Sequence, residues 1–177
     1  MSSYNRSLYL RYADALRHPG HFSTAISEFF AKDANINVVH PFNEIQSADA
    51  FFLKFMAPLQ QAFEGLYRRD YIFMTGQFEG KDWISSTGYY VGRFAKDWIG
   101  IKATDTLCYL RYGEFHQVKN GKVVESYIYL DIPELMIACN EWPLKMGPGL
   151  SRGYTGLIQG PASYDGVIAK ASDPNEG

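Results

Sequence analysis

The chain has 177 residues, with 17 Lys and Arg against 19 Asp and Glu and a formal net charge of -2. That is one domain's worth of chain with room for a sizeable core, and the even charge balance excludes a platform that binds nucleic acid by neutralising phosphates. Hydrophobic residues make up 46% and charged ones 20%, a globular rather than a disordered composition.

In chain order, residues 4–17 predict an amphipathic helix, with Leu8, Tyr12, Ala15 and Leu16 near helical spacing and His18-Pro19-Gly20 as its breaker. Ser23 is placed to cap a second helix running to Phe30. Ala34 to Val39 alternates and reads as a strand stopped by His40-Pro41-Phe42. A third helix fits 47–63, capped by Ser47, with Pro58 predicting a kink or an early end. From Tyr71 the period changes to two, and Tyr71–Glu79, Trp83–Phe94, Thr106–Val118 and Val123–Asp131 are four successive strands. Residues 132–139 return to helix. After Trp142 the chain turns rich in Pro and Gly, as in Gly147-Pro148-Gly149 and Gly160-Pro161. Residues 1–142 therefore read as the folded domain, and 143–177 as a tail laid on the surface or on a neighbouring subunit.

Helices followed by antiparallel strands make an α+β arrangement. The expected architecture is a curved, mostly antiparallel sheet wrapped as a cone around the N-terminal helices, with an internal pocket. Cys108 and Cys139 form no CxxC pair and the four histidines are scattered, so no metal site is expected. Dinucleotide, Walker and HExxH motifs are absent, so no cofactor is expected. The polar start and the lack of a long apolar run predict a cytoplasmic protein that engages no membrane.

The clearest local signal is Lys119-Asn120-Gly121-Lys122, since Asn-Gly between alternating runs favours a two-residue hairpin turn. An unbulged hairpin pairs Val118 with Val123, His116 with Glu125, Glu114 with Tyr127, Tyr112 with Tyr129 and Leu110 with Asp131. All of these then share one face, although a bulge would shift part of the set. Such a face suits solvent, with His116 and Glu125 as an ordinary cross-strand pair. It equally suits a pocket lining in which ionisable groups sit among tyrosines.

Trp83 to Asn140 resembles the SnoaL-like polyketide cyclases of the nuclear-transport-factor-2-like superfamily. The stretches that carry the resemblance are Gly88-Tyr89-Tyr90-Val91-Gly92, Trp98 through Thr104, Arg111-Tyr112-Gly113-Glu114-Phe115, Asn120-Gly121-Lys122-Val123-Val124-Glu125, and Asp131 before Ile132-Pro133-Glu134-Leu135. The resemblance implies a homodimer or higher homo-oligomer and a cofactor-independent enzyme acting on a small hydrophobic carbonyl compound. The reaction would be an aldol cyclisation or a related proton abstraction next to a carbonyl. It implies Asp131 as the acid/base, with His116 as the second catalytic group. The same Asp131 also fits a helix N-cap, because Pro133 follows it. Substrate contacts are expected from Glu114, Glu125, Tyr112, Tyr127, Tyr129, Tyr90, Arg93, His40 and Trp83, with Glu125 orienting His116. The alternative function is a non-catalytic module that binds a small apolar ligand on the same fold.

Overall fold

The computed structural model describes residues 2–18 and 20–144 and the backbone of 167–168, with side chains described from Tyr4 onward. The tail assigned to 143–177 thus lies outside the described residues except for Pro143, Leu144 and the pair 167–168.

Helix α1 spans Ser2–Ala15 and helix α2 spans Phe22–Phe29. Strand β1 (Phe30–Val38) follows without a loop, and β2 (Asn43–Gln46) turns back beside it. Helix α3 (Ala48–Phe51) passes through a π-helical stretch, Phe52–Met56, into α4 (Ala57–Ala62). Strands β3 (Phe63–Phe78), β4 (Lys81–Phe94), β5 (Leu107–Lys119) and β6 (Lys122–Leu130) form the main sheet, and α5 (Ile132–Ala138) closes the domain. A two-residue β7, Val167–Ile168, lies along β3.

The seven strands are ordered β2-β1-β6-β5-β4-β3-β7. The β1–β6 and β3–β7 pairs are parallel and the others antiparallel, so the sheet is mixed. Register shifts bend it within β3, at the β5–β6 turn and between β1 and β6. The helices lie against one face. Leu8, Tyr9 and Tyr12 of α1, Leu16 just after it, Phe22, Ile26 and Phe29 of α2, and Phe51, Phe55 and Leu59 of the third helical segment are all buried in one core. The even-numbered residues of β5, from Cys108 to Val118, face that core.

Four sequence expectations change. Ser23 does not cap α2, which starts at Phe22 after His21 with no side-chain cap. Ser47 does cap α3, accepting from the Ala50 amide at 3.1 Å. Proline 58 leaves the helix continuous: the Ala57 amide bonds back to the Phe52 carbonyl, one residue further than in an α-helix, and Pro58, which has no amide to offer, sits in the first turn of α4. Strand β3 begins at Phe63 rather than at Tyr71.

The fourth change concerns the hairpin. Lys119 pairs with Lys122 and Val118 with Val123, but Gln117 then pairs with Glu125 and His116 with Ser126. Val124 is the extra residue of a bulge, and every pairing beyond it moves by one. Glu114 therefore faces Ile128, and Tyr112 faces Leu130. Glu125, Tyr127 and Tyr129 go to the outer face of the sheet, where Phe115 pairs with Tyr127.

Gly88 sets how closely β3, β4 and β5 meet. A Cβ there would stand 2.1 Å from the Arg69 carbonyl oxygen, 2.7 Å from the Tyr112 hydroxyl and 2.8 Å from the Asp70 Cα. Two of these atoms are backbone and cannot swing away. Gly88→Ala is expected to destabilise the fold by roughly 1–3 kcal/mol or more, read as a lowered midpoint in thermal unfolding followed by circular dichroism.

Candidate functional site

The inner face of the sheet carries a buried polar cluster. Arg68 of β3 is 1% exposed and is held by two carboxylates. Its Nε donates to Asp70 Oδ1 at 3.0 Å, and its terminal nitrogens reach Glu114 Oε1 at 3.0 Å and Oε2 at 2.8 Å. Leu66, Arg68 and Asp70 point inward because the strand alternates between its two register shifts. Four tyrosines close around the guanidinium. Tyr9 accepts from Arg68 at 2.8 Å and donates to Asp70, Tyr112 donates to Asp70 at 2.6 Å, and Tyr90 lies 3.4 Å from Arg68. The Tyr112 and Tyr12 rings stand 4.1 and 5.3 Å from the guanidinium carbon, within cation–π range.

His116 is fully buried at the end of this cluster. Its Nε2 is 3.0 Å from Glu114 Oε2 and its Nδ1 is 2.7 Å from Ser126 Oγ. Arg68 and the His116 hydrogen bond outweigh burial at Glu114 and hold its carboxyl down at about 2. With Glu114 ionised, Nε2 carries the proton donated to it. In the neutral imidazole Nδ1 then holds the lone pair and accepts from Ser126. Burial is the main cause that pushes the hydroxyls of Tyr9, Tyr12 and Tyr112 well above the usual tyrosine range. Tyr90 rises for the same reason. All four therefore stay protonated phenols, and Tyr9, Tyr90 and Tyr112 donate to the carboxylates. Within this quartet the Tyr12 hydroxyl is the one with no hydrogen-bond partner among the described residues, and Asp70 Oδ2 is a second unpartnered atom nearby.

Of the residues singled out in the sequence, the structure brings together His116, Glu114, Tyr112 and Tyr90. Asp131 does not join them. Its side chain accepts from the Glu134 amide at 3.0 Å as the N-cap of α5, and its own amide bonds to the Arg111 carbonyl, on the register opposite the outward-facing Arg111. Glu125 accepts from Tyr127 at 2.7 Å and pairs with Gln117, so Glu114 rather than Glu125 contacts His116. Arg93 is exposed and pairs with Glu64 and Asp105. His40 is exposed at the end of β1. Trp83, Tyr127 and Tyr129 line a cavity of about 680 Å³ on the outer face, together with Met74, Phe78 and Phe115. Sequence reasoning missed Arg68, Asp70, Tyr9 and Ser126. The run Leu66, Arg68, Asp70 alternates as a strand does, and that period was the available signal.

A smaller cavity of about 260 Å³ lies between α1, α2 and the hairpin tip, lined by Leu8, Tyr12, Ala25, Phe29 and Gly121 among others. Among the described residues no group of three or more His, Cys, Asp and Glu could hold a metal ion.

Comparison with solved structures places this architecture. A SnoaL-like polyketide cyclase from Jannaschia sp., so assigned provisionally, superposes with a TM-score of 0.65 at 16% identity, over 81% of this chain and 95% of that one. The fold is nuclear-transport-factor-2-like. AclR from Streptomyces galilaeus, a provisionally assigned hydroxylase, superposes at 0.63 with 20% identity, over 81% of this chain and 100% of that one. A nuclear-transport-factor-2-like protein from Burkholderia thailandensis gives 0.57 at 18% identity, over 78% and 95%. No family model and no curated protein matches the chain. The cone with its helices inside is thus the shared element, and its neighbours carry more than one reaction name.

The Glu114 carboxyl, held at about 2 against an ordinary 4.5, contributes stability that is complete above about pH 4.5 and lost as pH falls through 2. The stability gap between the protein and Glu114→Gln should therefore narrow across that window in urea titrations. Arg68→Met leaves two buried carboxylates without their cation and is expected to cost about 3–5 kcal/mol in the same assay at neutral pH.

Proposed function

We propose that the chain is a cofactor-independent enzyme of the SnoaL-like kind, acting on a hydrophobic carbonyl compound by proton transfer next to the carbonyl. The observation that supports it is the Ser126–His116–Glu114 hydrogen-bond chain inside the cone, beside an uncommitted phenol on Tyr12. His116 is the base in this reading, in place of Asp131. The substrate C–H proton passes to Ser126 Oγ as the serine proton passes to Nδ1. The imidazolium so formed is stabilised by Glu114 across 3.0 Å. Negative charge then develops on the substrate oxygen, and the Tyr12 hydroxyl is the donor available to it. The enol carbon attacks a second carbonyl, and the proton returns from His116 by the same path. Glu114, already bound by Arg68, remains a carboxylate throughout and acts on the imidazole.

The alternative is a non-catalytic module that binds a small apolar ligand, favoured by Asp131 serving as a helix cap. The two separate in one assay. A 1,3-diketone with an aromatic substituent exchanges its acidic C–H for deuterium in heavy water, followed by NMR. An enzyme accelerates this exchange. His116→Gln is expected to lower the acceleration by about 10²-fold or more. Asp131→Ala should leave it within a few-fold and instead cost about 1 kcal/mol of stability. Exchange unaffected by His116→Gln sinks the enzyme reading.

The same proposal has the protein self-associate in the cytoplasm. No helix among the described residues is long and apolar enough to cross a membrane. Met74, Phe78, Phe115 and Tyr129 are exposed on the outer face, a composition suited to a second copy of the chain. Phe115→Glu is expected to shift the sedimentation profile to monomer.

A further inference from the structure

One pair of rings touches both the buried His116 and the smaller cavity. Tyr12 and Phe29 stack at 4.0 Å with 6° between their planes, and both line the cavity. Both also meet the His116 ring edge to face, Phe29 at 5.1 Å and Tyr12 at 6.4 Å between ring centroids. At about 260 Å³ the cavity is smaller than the roughly 300 Å³ at which ligand sites begin, so it suits a passage better than a binding chamber.

The rim and the floor of this cavity are held differently. At the rim, Lys122 of the hairpin donates to the Ser27 carbonyl at 3.1 Å and to the Glu28 carbonyl, fastening the hairpin to the end of α2. Gly121 sits against Tyr4, where a Cβ would fall 2.6 Å from the tyrosine oxygen. On the floor, Phe29 has only packing, and the Tyr12 hydroxyl has no hydrogen-bond partner among the described residues. Its stacking on Phe29 is worth about 0.5–1.5 kcal/mol beyond burial. A tyrosine tied by a buried hydrogen bond would resist rotation. This one does not have that restraint.

We propose that Tyr12 and Phe29 form an aromatic gate, through which a small, flat, apolar carbonyl compound passes from the cavity to His116. The proposal rests on the functional reading above for the identity of the compound. The passage itself stands on the geometry alone. Rotation of the two rings joins the cavity to the buried imidazole while the rim keeps its shape. The residues that set what may pass are then Tyr12 and Phe29 on the floor, with Leu8 and Ala25 on the walls.

Carbethoxylation by diethyl pyrocarbonate, read by mass spectrometry of the folded protein, tests the gate without turnover. His18, His21 and His40 are exposed and serve as internal references. His116 should react far more slowly than they do. Phe29→Ala and Tyr12→Ala are expected to raise its relative rate by roughly tenfold, as the open fraction grows. Phe29→Leu keeps an apolar side chain in the helix core and should show the same change in smaller measure if the alanine variant does not fold. Tyr12→Phe, which keeps the ring, should stay near the parent. Phe30→Ala is the control, because Phe30 also contacts His116, at 5.9 Å, but does not line the cavity. Equal acceleration by Phe30→Ala, or none by the Tyr12 and Phe29 variants, overturns the gate. Failure of the deuterium-exchange assay with a positive carbethoxylation result removes the enzyme reading and leaves the gate standing.

Discussion

A guanidinium placed in the middle of an apolar cone is the constraint around which this molecule is organised. Arg68 has no route to water, so its charge must be met from within. Asp70 on its own strand and Glu114 two strands away supply two carboxylates, and the tyrosine hydroxyls and Ser86 take up remaining hydrogen bonds. That requirement fixes the rest. Glu114 must lie inward on β5, which brings His116 inward two residues later. Asp70 must approach Tyr112, which requires a residue without a Cβ at position 88 between them. A buried ion pair of this kind adds little stability over an apolar replacement, but it is costly to break and restricts the packings available to the strands.

The cluster has one donor to spare. Arg68, Tyr9, Tyr90, Tyr112 and Ser86 all have partners, and Tyr12 does not. Tyr12 sits on α1, which among the described residues is the only element that contributes to the cluster without belonging to the sheet. Its ring faces the cavity, and the Glu114 charge contributes to raising the pKa of its hydroxyl. The polar centre and the outside are therefore connected through one side chain on a helix, while the sheet supplies a fixed background.

Much of the fold could be read in the chain, because its signals are local. The Asn-Gly turn sits where it was expected, and the inward parity of Tyr112, Glu114 and His116 follows from a strict alternation on β5. The face of the partner strand could not be read. Val123 and Val124 are both β-branched and nothing in their order tells which one is paired and which is bulged. The choice is made by burial: with Val124 bulged, Ser126 meets His116 while Ile128 and Leu130 join the core, and the tyrosines stay outside. Arg68 and Asp70 escaped for a different reason. They precede Tyr71, where the change of period begins the expected strand, and only the three-dimensional pairing with Glu114 shows that they are buried. Asp131 satisfied two patterns at once, a strand-end acid and a helix cap, and the chain spacing alone favours neither.

The bulge at Val124 also says which kind of sequence change this protein can absorb. Substitutions along β6 alter one side chain each, and its outward positions tolerate many. Removal of Val124 would leave an unbulged hairpin with the same pairs beyond it, Gln117 with Glu125 and His116 with Ser126, so Ile128 and Leu130 would stay in the core. The bulge is thus slack in the count beside the turn. Between Ser126 and Asp131 there is none, because each residue there sets the face of every one that follows.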